Sequence, residues 1–329
     1  MSFASPGLRP GLPNEGRLLA PPAEWCCRLQ QRGGILSAER INRMKRVLLG
    51  MLLVMAVCPW ASAESSVWKA QKDNAVIYLG GTFHMLRAAD YPLPPEFDRA
   101  YQASEIVVFE TDIGTLQEPA TQQLLLAKAV YADGSTIDRH LSARAYGELK
   151  AYCDANAVPL QAYSRLKPSM LLTALMLLEL EKLGVSRQGV DQFFYEAAHK
   201  DRKVVQGLET VEEQIDYLLS MADGNEDEFV SYSLMEMKTI RQDFEILANA
   251  WRTGDAGKLA ELLLVKLKTR QPKLYRKLVT DRNRNWLPLI DAYQKTPRTE
   301  FILVGAAHLV GPDGIIETLK KKGYQVDKL

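Results

Sequence analysis

Histidine is scarce in this chain, with four residues in 329. Cysteine is no commoner, and three of its four residues (Cys26, Cys27 and Cys58) fall close to the N-terminus. With that stretch removed, Cys153 stands alone, no intramolecular disulfide can form, and residues 64–329 must be held by their own core. Cys153 lies in the helical pattern YGELKAYCDANAV, which suits a buried, inert thiol. Long apolar runs are missing too: the one near the N-terminus, 47–57, is eleven residues, against the ~20 a membrane-spanning helix needs. No His-Glu-x-x-His helix, Gly-x-Ser-x-Gly elbow, Walker A loop or Gly-x-Gly-x-x-Gly fingerprint occurs, which removes the common zincin, esterase-elbow, P-loop and dinucleotide readings. Internal repeats, low-complexity tracts and linkers between independent units are also absent.

What is present begins with a processing signal. Met44-Lys45-Arg46 is a basic start, 47–57 is the apolar segment, and Ala61-Ser62-Ala63 is a small-x-small cleavage pattern, so 44–63 reads as a signal peptide cut before Glu64. Lipid attachment at Cys58 is disfavoured, because the residue before it is Val57 where a small one is needed. Residues 1–43, rich in Pro, Gly and Arg, would bury such a signal in mid-chain; they read as a non-translated or disordered extension, with translation starting at Met44. A periplasmic or secreted protein without an integral membrane span follows. Residues 64–329 carry 33 Lys/Arg and 37 Asp/Glu, a net of −4, which argues against a nucleic-acid or anionic-membrane surface. The basic run Lys320-Lys321-Lys322 reads as the end of a terminal helix, where the dipole favours cations.

Strand-like runs are few: 75–80, 105–110, 203–209, 300–305 and 324–329. A Pro-started short helix, LPPEFDRAYQAS, separates the first two. The centre is helical, with charged-face segments at 189–200, 210–221, 226–253, 255–269 and 281–294, and breaks at Gly254, Pro272 and Pro297. The run 165–183 is apolar nearly all round, which predicts a helix buried within the domain. Together these predict a single α/β (α+β) domain over 64–329: a mixed, mostly parallel central sheet surrounded by helices, with a large helical insertion between sheet strands.

Two of the four histidines share one frame. YLGGTFHML sets His84 three residues after Gly81, and VGAAHLVGPDG sets His308 three residues after Gly305. Residues just past the C-terminal ends of parallel strands gather along one sheet edge, where such folds bind ligands. The glycine permits close backbone approach or a positive φ, so the two imidazoles can meet. Glu110 ends EIVVFE and Glu209 ends KVVQGLE, putting two carboxylates at equivalent places. Singly, each of these residues reads as an ordinary loop or strand-end group; together, two imidazoles and carboxylate oxygens suit Zn²⁺, Mn²⁺, Co²⁺ or Fe²⁺ with room for a water. Arg282, in DRNRNW, reads as an anion clamp aimed at the same edge, and Asp191, in GVDQFF, as either a helix cap or a substrate-binding group. His140 and His199 lack the frame and read as surface residues.

These residues resemble the TraB/PrgY/GumN family, which takes in the Wnt-cleaving TIKI metalloproteases. The likeness runs through Gly81 to His84, Glu110, the GVDQFF and QGLET stretches, RNRNW, and Gly305 to His308. It implies a distant relation to the erythromycin esterase and ChaN-like fold. It also implies peptide cleavage dependent on a divalent metal (Mn, Co or Zn), with His84 and His308 as ligands and Glu110 as ligand or base. Arg282 would then bind substrate or stabilise charge, and Glu209, placed by the strand-end argument, joins the catalytic candidates. The expected function is a metal-dependent hydrolase of peptide or amide bonds. The rival is a protein that sequesters a signalling peptide or metal complex without turning it over, as the pheromone-shutdown role linked to PrgY-like members would allow. Intact mass of the protein recovered from its native compartment should match a chain beginning at Glu64; retention of 44–63 would contradict the signal reading.

Overall fold

The computed structural model describes residues 65–186 and 188–329. The extension expected over 1–43 and the signal expected over 44–63 lie outside the described residues. The described chain opens with a hairpin of β1 (Val67–Lys72) and β2 (Ala75–Thr82), paired from Val67↔Gly80 to Lys72↔Ala75. Asp73 and Asn74 connect them, Asp73 with φ of 52°, a left-handed turn conformation that Asp tolerates and that suits strand twist. Then come β3 (Leu86–Arg87), β4 (Ile106–Phe109), β5 (Val185–Ser186), β6 (Val204–Gly207), β7 (Glu300–Gly305) and β8 (Gln325–Lys328). Six strands form one sheet in the order β6-β4-β7-β2-β1-β8, and β3 pairs with β5 in a separate ladder.

Strand direction decides where a site can form. β2 and β7 are parallel, as are β7 and β4, and β4 and β6, whereas β1 is antiparallel to both its neighbours. The sheet is mixed and largely parallel, so the C-terminal ends of β2, β4, β6 and β7 emerge along one edge. Thr82 lies beside Gly305, and Phe109 lies between Leu303 and Gly207. Every residue of β4 and β7 is buried, as expected for apolar strands covered on both faces.

Each of the five anticipated strands is present, 300–305 with the expected bounds and the others shorter or longer by two or three residues. β1 was not foreseen: VWKAQK mixes Lys and Gln with its apolar residues, and it becomes a strand through pairing with β2 and β8. The helical insertion between β6 and β7 contains helices Val211–Leu219, Glu226–Arg252 and Asp281–Tyr293. The segment expected as one helix over 255–269 is interrupted by a π-helical turn, Glu261–Val265. A second π-helical turn, Arg276–Thr280, leads into Asp281–Tyr293. Pro272, expected as a break, starts the short helix Pro272–Tyr275, since a first-turn proline gives up no needed N–H. Helix Pro119–Ala129 was also unforeseen.

The apolar run 165–183 forms helix Pro168–Glu181, but it is not buried all round. Leu171, Leu172 and Leu175 are core, whereas Leu178 is 44% exposed. Met176 and Leu180 instead wall a cavity. The pattern therefore serves both a core face and a pocket face, which periodicity alone does not separate. Among the described residues, no helix is long and apolar enough to cross a membrane.

The long helix Glu226–Arg252 is pinned to the sheet at its C-terminal end. Trp251 donates from Nε1 to the Gly81 carbonyl at 2.7 Å, and the Ser66 hydroxyl donates to the Trp251 carbonyl at 2.7 Å. Phe83 and Phe97 pack against the Trp251 ring at centroid distances of 6.1 and 5.6 Å. Such buried bonds each contribute about 1 kcal/mol, and leaving a partner unpaired costs more. Gly80 shows how tight the sheet is: a Cβ there would stand 2.7 Å from Leu303 Cδ2 and 2.9 Å from the Phe301 ring. Both neighbours are buried on β7. Gly80→Ala should lower unfolding free energy by ~1–3 kcal/mol in a denaturant titration; an unchanged midpoint would contradict the close interstrand packing.

Candidate active site

The first histidine is aimed by a contact between two turns. Beyond β2 the chain continues through Phe83 to His84, and the Val190 N–H donates to the Phe83 carbonyl at 3.0 Å. Gly189 lies so close to the His84 backbone that a Cβ would collide with its carbonyl group, so only glycine allows the approach. Gly189 is also the N-cap of helix Val190–Asp201, and Asp191 in its first turn meets His84 Nδ1 with Oδ2 at 2.8 Å. The GVD order thus has a physical reason. No side chain caps this helix, and the Asp191 carboxylate goes to the imidazole.

Asp191 is the main cause of a raised His84 pKa, to about 9, with local desolvation opposing and the Glu110 charge adding. The ring is 63% exposed, and solvent on its open side tempers the pull. Since the folded ring holds its proton more tightly than a free imidazole, the pair favours the folded state fully below about 6.5. That contribution is lost as pH climbs through about 9.

The other strand ends meet around one guanidinium. Glu110 follows β4, Glu209 lies two residues beyond β6, and His308 sits in the short helix Ala306–Leu309 directly after β7. Arg282, in the first turn of Asp281–Tyr293, donates from Nη2 to Glu110 Oε2 and Glu209 Oε1, both at 2.6 Å. Its Nε donates to Glu209 Oε2 at 3.0 Å and its Nη1 to His308 Nε2 at 3.1 Å. Trp286 stacks at 4.6 Å from the guanidinium and donates from Nε1 to Glu209 Oε2 at 3.1 Å. The free oxygen of Glu110, Oε1, accepts the Gly305 N–H at 2.7 Å.

The His308 tautomer follows from its neighbour. Asn283 donates from Nδ2 to the carbonyls of His308 and Asp313, each at 3.1 Å, so its Oδ1 must be an acceptor. That oxygen lies 2.7 Å from His308 Nδ1. His308 therefore carries its proton on Nδ1, and the Nε2 lone pair faces Arg282. Burial first, then the Arg282 and His84 charges, lower its pKa to about 3 against the pull of Glu110, so the ring stays neutral. Burial would raise the Glu110 pKa, but Arg282 and then the two histidines overcome it and hold the carboxyl well below its ordinary range. Glu209 is pushed up by burial and by the Glu110 charge, against Arg282.

His84 joins this cluster across Gly305. A Cβ on Gly305 would stand 3.2 Å from Glu110 Oε1, 3.4 Å from His84 Nε2 and 3.7 Å from His308 Cδ2. Three functional groups gather around one bare Cα. A Cβ on Gly81, its counterpart in the first frame, would stand 3.3 Å from Ala306 and from Ser66 Cβ. Both glycines serve close approach, and neither has a positive φ. The cluster forms the floor of a cavity of about 580 Å³.

The structure brings Glu110, Glu209, Arg282 and His308 together, with His84 and its partner Asp191 beside them. Sequence reasoning misses the parts of Asn283, Trp286 and Gly189; all three lie within the quoted stretches RNRNW and GVDQFF, and that membership is the available signal. His140 stacks on Tyr131 at 3.6 Å, and His199 meets Tyr195 at 4.4 Å; neither lines this cavity. Cys153 is buried, which pushes its thiol up.

The donor chemistry suits a divalent ion in one respect. Both Nδ1 atoms are tied to oxygens, as metal-binding imidazoles usually are, and Glu110 Oε1 lies 3.9 Å from His308 Nε2. Against it, Arg282 already occupies that lone pair. Among the described residues no group of three His, Cys, Asp or Glu is gathered closely enough to hold a metal ion.

The TraB/PrgY/gumN family model matches residues 66–328, which is nearly all of the described chain. The chain belongs to the TraB/PrgY/gumN family. Neither a curated protein nor a solved structure gave a match. For a TraB/PrgY/gumN chain, membership fixes the fold's lineage and leaves the reaction to the site.

Two measurements check this geometry. Arg282→Ala leaves two buried carboxylates uncompensated and should cost ~3–5 kcal/mol of stability; a loss under ~1 kcal/mol would mean the cluster is wet and weakly coupled. By NMR, His84 should titrate above 6.5 in the wild type and fall back in Asp191→Asn. An identical midpoint in both would remove Asp191 as the cause.

Proposed function

We propose that this chain is a hydrolase of peptide or amide bonds, acting in the periplasm or outside the cell. The observation that supports it most is the gathering of His84 Nε2, Glu110 Oε1 and His308 around Gly305 at the floor of a cavity. Asp191 holds the His84 ring with Nδ1 bonded, so Nε2 is the atom offered to the cavity. In its neutral form, His84 takes a proton from attacking water and returns it to the leaving amine. Asp191 stabilises the imidazolium between those events. Arg282, fixed by Glu110 and Glu209, opposes the oxyanion with its charge. Glu209 then acts through Arg282 as a positioning residue, and His308, neutral and buried, shapes the floor.

A divalent ion is a second reading, favoured by the paired Nδ1–oxygen bonds of both histidines and by the resemblance to the TIKI branch. His84, His308 and Glu110 would hold it, once Arg282 released His308 Nε2, and it would supply Lewis acidity and an acidified water when bound. The chain's own residues keep the orienting and charge-opposing roles described above.

Mass spectrometry of a peptide library incubated with the protein, with and without manganese, separates the readings. His84→Ala should cut turnover by ~10²–10⁴-fold while circular dichroism stays unchanged. The rate should rise with pH as His84 loses its proton. Cleavage undiminished in His84→Ala would overturn the assignment. Peptide retained without product would favour the sequestering reading instead.

A further inference from the structure

The cavity ending on His84, Glu110, Arg282 and His308 has two unlike halves. Beyond the polar floor its wall includes Met176, Leu180, Phe244, Leu267 and Val279. These come from separate elements: helices Pro168–Glu181, Glu226–Arg252 and Lys266–Arg270, and the π-helical turn Arg276–Thr280. Each π-helical turn adds a residue to its helix and re-aims the following face, a device concentrated at functional sites. The turn at 276–280 supplies Val279 to the wall and delivers Arg282 to the floor. Helix Pro168–Glu181 gives Met176 and Leu180 to this wall, both at the margin of core clusters.

Charge in the cavity is equally one-sided. Arg282 commits four of its five N–H donors to Glu110, Glu209 and His308. Glu236 and Asp243 line the wall, with Lys266 at 3.7 and 3.8 Å from them. Glu236 Oε1 is buried without a hydrogen bond. An anionic group entering along this wall meets Glu236 and Asp243, while at the floor the His84 charge is balanced by Asp191 and the Arg282 charge by Glu110 and Glu209. The volume of about 580 Å³ falls among cavities that hold small ligands, with room for a segment of roughly two or three residues.

Resting on the hydrolytic reading of the same floor, the geometry points to a substrate class. The substrate is a peptide or amide that places a bulky, uncharged aliphatic or aromatic side chain beside the scissile bond. That side chain sits on Met176, Leu180, Phe244 and Leu267 while its carbonyl reaches His84. These four are the specificity-determining residues, and acidic side chains at that position are rejected.

NMR titration of the purified full chain with three acetylated, amidated tripeptides, Ala-Phe-Ala, Ala-Ser-Ala and Ala-Asp-Ala, tests this. The Phe peptide should bind about 10-fold or more tighter than the Ser peptide, with the Asp peptide weakest. Leu180→Glu should erase the Phe preference while circular dichroism shows an intact fold. Equal affinities, or no binding of any of the three, would overturn the inference. Self-association abolished by Leu180→Glu would put a second copy on the wall and overturn it too. Selective binding without product keeps the inference and sinks the hydrolytic reading; product formed equally from all three does the reverse.

Discussion

One shared guanidinium holds the site together. Glu110 and Glu209 end neighbouring parallel strands, and burying two carboxylates side by side without a cation would be strongly unfavourable. Arg282 resolves that conflict with short bonds to both, and its fourth bond reaches the lone pair of His308. Segments far apart in sequence are thus fixed within a few ångströms, and their charge states are fixed with them. Glu110 is kept ionised and His308 neutral. The planar fork of arginine matters, since a lysine could not bond Glu209 through two atoms while also serving Glu110 and His308.

The site divides into a rigid half and an accessible half. The Arg282, Glu110, Glu209 and His308 side chains are buried and bonded to one another, with Asn283 and Trp286 bracing them. His84 is different: it is mostly exposed and anchored chiefly through Asp191, on a turn held by Gly189. A group that must gain and lose a proton belongs on the accessible side, and a group that supplies fixed charge belongs on the buried one. This partition supports the roles proposed for His84 and Arg282.

Much of this was legible before the structure. The paired Gly-x-x-His frames and the acid-ended strands placed His84, His308, Glu110 and Glu209 at one sheet edge, because parallel strand ends must converge there. Periodicity found the long helices for the same reason that amphipathic faces repeat. What stayed hidden depended on partners. β1 is a strand through its neighbours, and the π-helical turns leave the apolar spacing nearly unchanged while rotating it. Pro168–Glu181 looked fully buried because a pocket wall and a core face use the same residue types. The sequence suggests Arg282 as an anion clamp at this edge, but not that four of its donors go to two acids and a histidine of the same chain, which follows from three-dimensional register.

The most direct test of this account is the protonation of His308, since burial, aided by the Arg282 charge, should deny it a proton. Nitrogen-resolved NMR of the imidazole across pH 5 to 9 should show no titration, with hydrogen on Nδ1 throughout. A midpoint near the ordinary histidine value of ~6.5 would contradict a buried, neutral His308 beside the Arg282 guanidinium.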